Sequence, residues 1–288
     1  MIKLMLITND PFMAKTAIDS GVNRIFVDLE INGKEKRQGH LNTVISRHSI
    51  EDVKRIRKAV PYAELLVRIN PLFDGSQDEV NEVMNAGADI IMLPMFYHWK
   101  EVETLVQMVN GRAKVIPLIE TPPAMIRIAE IVKVNGLEEV YIGLNDLHLS
   151  LDIDFMFEPL ATGLIDYMVS TIKEAGLSFG FGGIARMGEG VIPGELLLGE
   201  HVRLGASSVI LSRSFHGNAK SYEELKSNID IKTEILKLRQ MESQLQLRSD
   251  KMIKNDQQKV KEIILSISKD LWKRKVVKSD EATIRPYS

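Results

Sequence analysis

The chain has 288 residues, 44% of them apolar and 26% charged, with a net charge of −2 and no cysteine. That is enough chain for one barrel-sized domain, and the near-neutral charge gives no general attraction to nucleic acid or an anionic membrane surface. Without cysteine there are no disulfides, thiolate metal sites, iron–sulfur clusters or Cys nucleophiles, which fits a reducing, cytoplasmic setting.

The N-terminus, MIKLMLITNDP, holds an apolar stretch too short for a signal peptide, and no run is long enough for a membrane span. It reads as the first strand, Lys3–Thr8. Seven more short runs rich in Val, Ile and Leu follow: Arg24–Leu29, Leu65–Ile69, Ile90–Pro94, Val115–Ile119, Val140–Gly143, Ser178–Gly182 and Ser208–Ser212. Nearly continuous apolar character suits parallel strands buried on both faces. Helix signals lie between them. Asp10-Pro11 and Thr121-Pro122 read as an N-cap followed by Pro, Ser49 with Asp52 as a capping box, and Gly21, Gly87, Gly111, Gly136 and Gly176 as helix ends.

Arg68, Pro94, Glu120 and Asp146 recur at equal spacing at the ends of four successive strands. One strand, one helix and two loops need about that length. A doubly wound open sheet would also alternate strands and helices, but eight units without a dinucleotide fingerprint favour an α/β fold of the (β/α)8 TIM-barrel type. The barrel is expected over residues 1–220. Residues 221–288 are expected to form one long helix, Tyr222–Leu247, a break at Arg248–Asp250 and a second helix over about Gln257–Lys275. The first would supply the eighth barrel helix, and the apolar stripe on the extension suggests a contact in a homo-oligomer.

In such a barrel the active site lies where strands end. Polar residues expected there are Asp28, Glu30, Arg68, Asn70, Glu120, Asn145, Asp146 and Ser212 to Ser214. Glu120 and Asp146 come from adjacent strands and can converge. Two carboxylates plus water and substrate oxygens make a site for Mg²⁺ or Mn²⁺; the bland alternative is that each caps a helix. Arg68, inside an apolar strand, must face a partner, either a substrate carboxylate or an internal ion pair with Asp28 or Glu30. Asn70, Pro94 and Asn145 are candidate substrate contacts. Gly182 and Gly183, in SFGFGGIARMGEG, would let a ligand approach the backbone. The long polar loop after the second strand carries Lys36, Arg37, His40, Arg47 and His48. His40 is the candidate general acid or base, with His48 behind it. His148 could line the pocket or lie on the surface.

Taken together, FVDLE (26–30), VRIN (67–70), GADIIMLP (87–94), PLIETPPA (117–124) and GLEEVYIGLNDLHLSL (136–151) resemble the HpcH/HpaI aldolase and citrate lyase β-subunit family. The resemblance runs from about Ile25 to Leu151 and implies lyases working through an enolate of pyruvate, oxaloacetate or acetyl-CoA type. It implies a divalent ion on Glu120 and Asp146, substrate carboxylate or enolate oxygen on Arg68, and Asp28 and Glu30 organising water or the acyl group. The chain departs from the family after the second strand. The aldolase branch has a Glu-His pair there, and the citrate lyase branch Asp-Leu-Glu-Asp-Ala; here Glu30 is followed by Ile31. The expected activity is a metal-dependent carbon–carbon lyase acting on a 2-oxo acid. The alternatives are an acyl-CoA lyase, synthase or thioesterase, and a non-catalytic barrel that binds a ligand or partner.

Overall fold

The computed structural model describes residues 1–33 and 48–283, with side chains to residue 276. Lys36, Arg37, His40 and Arg47 lie outside the described residues. The strands are β1 (Lys3–Ile7), β2 (Arg24–Asp28), β3 (Glu64–Arg68), β4 (Ile90–Leu93), β5 (Lys114–Ile119), β6 (Glu139–Ile142), β7 (Ser178–Ile184) and β8 (Ser208–Leu211). They close in chain order into a parallel barrel, β8 pairing with β1. All eight expected strands are present, with ends shifted by a residue or two.

Between them run α1 (Pro11–Asp19), α2 (Ile50–Ala59), α3 (Ser76–Asn85), α4 (Trp99–Val109), α5 (Pro122–Ile126), α6 (Ile128–Ile131), α7 (Leu144–Ser150), α8 (Glu158–Ala161), α9 (Leu164–Glu174) and α10 (Gly194–Leu204). The caps read from sequence form. Asp10 accepts from the Phe12 and Met13 N–H groups, and Ser49 and Asp52 bond reciprocally. Thr121 accepts from the Ala124 N–H, so Glu120 is not needed as a cap.

Period-two alternation sorts each strand into two faces. Residues such as Leu4, Leu6, Ile25, Val27, Leu65 and Val67 face the helices. The other face fills the barrel. Its middle is apolar, built from Met5, Phe26, Leu66, Ile90, Met92, Ile116, Leu118 and Tyr141. The same alternation places a charged residue two positions either side of that layer. On β2 these are Arg24 below and Asp28 above Phe26; on β3 they are Glu64 below and Arg68 above Leu66. Both ends of the barrel therefore carry inward charge.

The lower end is closed. Arg24, 1% exposed, reaches Glu64 on β3 at 3.1 Å and Glu139 on β6 at 3.1 Å, and the Ser208 hydroxyl donates to Glu139 at 2.5 Å. Lys3 adds a second cation to Glu64 at 3.1 Å.

Beyond β8 the expected single helix is two. α11 (Tyr222–Asn228) stops at an extended Ile229, and Asp230 caps α12 (Ile231–Leu245) by accepting from the Lys232 and Thr233 N–H groups. The hydrophobic pattern ran on because Leu225, Ile231, Ile235 and Leu238 are all buried; the Asp230 cap is what divides them. Glu242 on α12 accepts from the Ile2 N–H at 2.6 Å and so fixes the start of β1. After the expected break, α13 runs over Asp250–Thr283, starting earlier and ending later than the sequence pattern suggested. It buries Val260 and Ile264 and packs on α8 and α10. No helix among the described residues is long and apolar enough to cross a membrane.

Replacing Arg24 with Ala strands Glu139 in a buried place. The expected loss is about 3–5 kcal/mol of unfolding free energy, as for removing one partner of a buried pair. Urea unfolding of Arg24→Ala against the parent checks this, and the double variant with Glu139→Ala should recover part of the loss.

Candidate active site at the carboxyl ends of the strands

The upper end is built on a register. Asp28 is the Cα partner of Arg68 across β2 and β3. Their side chains therefore meet side by side, Arg68 Nε donating to Asp28 Oδ1 and Nη2 to Oδ2, both at 2.8 Å. Nη2 also lies 3.3 Å from Glu30 Oε2. Asp28 and Glu30 are 2% and 1% exposed, and the arginine gives each of these buried carboxylates a cation. Burial opposes the guanidinium charge, but Asp28 and Glu30 outweigh it and hold Arg68 above its ordinary range. The guanidinium also stands 5.7 Å from the centre of the Phe26 ring, a cation–π contact. The internal pair and the ligand role, set against each other in sequence, coexist. Asp28 takes the Nε–Nη2 edge, and Nη1 has no hydrogen-bond partner among the described residues.

Glu120 follows β5 directly and is 2% exposed. Its Oε1 accepts from the Met95 N–H at 3.0 Å. Met95 sits at φ 51, a left-handed conformation that few non-glycine residues adopt, and this turn after Pro94 aims its amide at the carboxylate. Gly143 is the other wall. A Cβ there would lie 2.9 Å from Glu120 Oε2, so only glycine leaves that side open.

Asp146 corrects one expectation. It does not end β6 but lies in the first turn of α7, which begins just after Gly143. Its charge nevertheless reaches Glu120. Burial pushes the Glu120 carboxyl up to about 8; Arg68 opposes this, while Asp146 and Glu30 add to it. One acid is thus held near neutrality unless a cation joins it. Among the described residues no trio of His, Asp or Glu is arranged to hold an ion alone. Two carboxylates would still fit a hard divalent cation such as Mg²⁺, which takes several of its ligands from water and substrate.

The rim completes the picture. On β7, Gly182 adopts φ 53 and the pairing with β8 slips between Gly180 and Gly183. The buried Tyr141 hydroxyl fills that gap, donating to the Gly182 carbonyl at 2.8 Å and accepting from the Ile210 N–H at 3.0 Å. Asn145 is half-buried in the first turn of α7, and Pro94 is buried behind Met95. The Ser212 and Ser214 hydroxyls bond to each other at 2.8 Å beyond β8. Asn70 is tied into the loop after β2: its Oδ1 accepts from the Ile31 and Asn32 N–H groups at 2.9 Å each. His148 stays on α7, its Nδ1 3.3 Å from the Leu144 carbonyl oxygen.

Of the loop imidazoles, His40 lies outside the described residues. His48, the lesser candidate in sequence, is brought to the site: its Nδ1 accepts from the Asp28 N–H at 3.0 Å. That bond leaves the neutral ring a proton on Nε2, so His48 is a hydrogen-bond donor there and not a free base. Ile31 is 56% exposed and holds no acid–base group. Sequence reasoning missed Met95, Tyr141 and the weight of His48. Pro94 and the Gly pattern of β7 are local signals for the first two, while the third depends on how the loop returns to β2.

The family model for HpcH/HpaI aldolase/citrate lyase matches residues 2–158. A 2-keto-3-deoxy-L-rhamnonate aldolase of Shigella sonnei is 25% identical over 216 residues, covering 64% of this chain and 75% of that protein. Two solved structures share the fold. One is an HpcH/HpaI aldolase/citrate lyase family protein of Burkholderia cenocepacia (TM-score 0.59, 14% identity, 85% of this chain and 94% of that one). The other is the citrate synthase SbnG (TM-score 0.56, 20% identity, 73% and 85%). With more than half of its length matched to the family model, the chain belongs to the HpcH/HpaI aldolase/citrate lyase family and is a carbon–carbon lyase of the metal-dependent aldolase type.

Proposed function

We propose that the chain cleaves or forms a carbon–carbon bond beside the carbonyl of a 2-oxo acid of pyruvate or oxaloacetate type. The observation that carries this is the pairing of two buried acids, Glu120 and Asp146, with an arginine whose Nη1 meets no hydrogen-bond partner among the described residues. Glu120 and Asp146 would hold Mg²⁺ or Mn²⁺, which supplies Lewis-acid polarisation of the substrate carbonyl. Arg68 binds the substrate carboxylate through Nη1 and offsets the negative charge that grows on the enolate oxygen. Asp28 and Glu30 keep that guanidinium charged and aimed. Gly182 and Gly183 allow close backbone approach, and Pro94 and Asn145 form the walls. In the cleavage direction the aldol hydroxyl gives its proton to a base, its oxygen becomes the aldehyde carbonyl, and the electrons of the broken bond move onto the 2-oxo acid as its enolate. His40 remains the candidate for that base, with Ile31 carrying no such group.

A CoA-ester substrate is the second reading, favoured by the isoleucine that stands where the aldolase branch has histidine. A panel of CoA esters run beside 2-oxo acids and aldehydes separates the two. We also read residues 1–220 as the catalytic barrel and 221–288 as a helical extension serving a cytoplasmic homo-oligomer. Light scattering on the full chain measures the subunit number.

Glu120→Gln and Asp146→Asn are each expected to abolish Mg²⁺ binding by calorimetry and to lower kcat by about 100- to 1,000-fold, typical of losing one electrostatic element of a site. Unchanged ion binding and turnover in both variants would falsify the assignment.

The raised Glu120 pKa sets a second expectation. Its folded value of about 8 lies above the ordinary 4.5, so its bound proton stabilises the fold fully below 4.5, and this is lost as pH rises through 8. A divalent ion must displace that proton. Mg²⁺ should therefore raise Tm more at pH 8.5 than at pH 6, and Glu120→Gln should remove the difference. Melting curves at both pH values, with and without Mg²⁺, provide the measurement.

A further inference from the structure

Glu79 lies on the outer helix α3, yet its Oε2 is buried with no hydrogen-bond partner among the described residues. Its other oxygen is fully used. Oε1 accepts from the Asn70 backbone N–H at 3.2 Å and from Asn70 Nδ2 at 2.7 Å. Burying a carboxylate to meet a single neutral residue is costly, so the arrangement calls for a reason beyond helix formation.

That reason lies in what Asn70 does with its other end. The amide can be oriented only one way. Oδ1 must face the two donors, Ile31 N–H and Asn32 N–H, and Nδ2 must face the acceptor, Glu79. Flipped, the amide would set its NH₂ against two N–H groups and its oxygen against a carboxylate. Glu79 thus fixes the flip, and the flip fixes the chain at residues 31 and 32.

These two amides complete an unbroken series. The Asp28 N–H is held by His48, the Leu29 N–H by the Arg68 carbonyl at 2.9 Å, and the Glu30 N–H by Asp28 Oδ1 at 3.2 Å. Asn70 holds the next two. Glu30, in the middle of this segment, keeps its carboxylate 3.3 Å from Arg68. With its C-terminal side released, the segment could turn Glu30 away from the guanidinium.

We propose that Glu79 is a positioning residue for the active site: through Asn70 it locks the segment after β2 and so holds Glu30 against Arg68. The proposal rests on the reading above that Arg68 receives the substrate carboxylate. Its effect on function therefore passes through the orientation of Arg68 and not through contact with substrate.

The test uses the full chain with Glu79→Gln, Glu79→Leu and Asn70→Ser. Hydrogen exchange at the Ile31 and Asn32 amides reports the lock without any substrate, since an amide exchanges through local opening. Calorimetric binding of pyruvate in the presence of Mg²⁺ reports the consequence. Glu79→Gln keeps an acceptor oxygen and should leave both readouts within about threefold of the parent. Glu79→Leu should speed exchange at both amides and weaken pyruvate binding by about tenfold or more, the scale of one lost hydrogen bond to a charged group. Asn70→Ser should do the same, and it carries the test if Glu79→Leu does not fold. The double variant Glu79→Leu/Asn70→Ser should be no worse than Asn70→Ser alone, as for residues acting in one chain of contacts. Exchange unchanged in Glu79→Leu and Asn70→Ser overturns the lock. Faster exchange with pyruvate binding intact overturns the positioning role and leaves Glu79 purely structural. If the parent protein binds no pyruvate, the proposed substrate class falls, and the exchange data still decide whether Glu79 controls residues 31 and 32.

Discussion

Among the described residues, one guanidinium at the top of the barrel acts on three buried acids. Arg68 holds Asp28 and Glu30 directly and is the cation that lowers Glu120, while Asp146 pushes Glu120 the other way. Charge of this kind in a low-dielectric place has to be balanced. Burial, with Asp146 and Glu30, pushes the Glu120 carboxyl up to about 8, which favours a retained proton at neutral pH. A divalent cation between Glu120 and Asp146 would take the place of that proton. The same burial that makes the bare carboxylate unfavourable is what supports the proposed cation site.

That arrangement depends on the barrel beneath it. Strand alternation stacks three tiers along the axis, and the outer two are charged for different reasons. At the lower end Arg24 engages Glu64, Glu139 and indirectly Ser208, and its donor groups are matched by acceptors. Matching of that kind closes the barrel. At the upper end, among the described residues, Arg68 Nη1 meets no hydrogen-bond partner, Glu120 lies against Gly143, and Met95 is left-handed. In a parallel barrel only the upper end has long loops to cover and shape a ligand cavity. Strain and unbalanced polarity at that end are what a substrate and an ion would relieve.

The helices outside the barrel take part in the same economy of contacts. Glu242 on α12 and Glu79 on α3 each reach past their own helix to fix a backbone amide, one at β1 and one at the loop after β2 through Asn70. Buried acids in this protein repeatedly serve as acceptors for backbone N–H groups, which is a positional task rather than a stabilising one.

Much of this was present in the order of residues. Eight short apolar runs, capped helices between them and equally spaced polar residues are local patterns set by strand and helix periodicity, so the closed barrel was legible; the family came instead from the resemblance carried by motifs such as VRIN and PLIETPPA. Arg68 and Glu120 could be placed at strand ends because polar residues there are few, while Asp146, expected at the end of β6, stands in the first turn of α7. Other features were settled only by the tertiary structure. Asp28 and Arg68 meet because β2 and β3 pair in one register out of several possible. Asp146 works from a helix turn, since the chain bends at Gly143 before it. His48 returns to Asp28 across a loop, and Glu79 acts from an outer helix through Asn70. Each of these depends on distances between segments remote in the chain, and no periodicity within a segment encodes such a distance. The sequence alone determined which groups stand at the barrel mouth; three-dimensional packing decided which of them touch, because contact is a property of register and loop path rather than of local pattern.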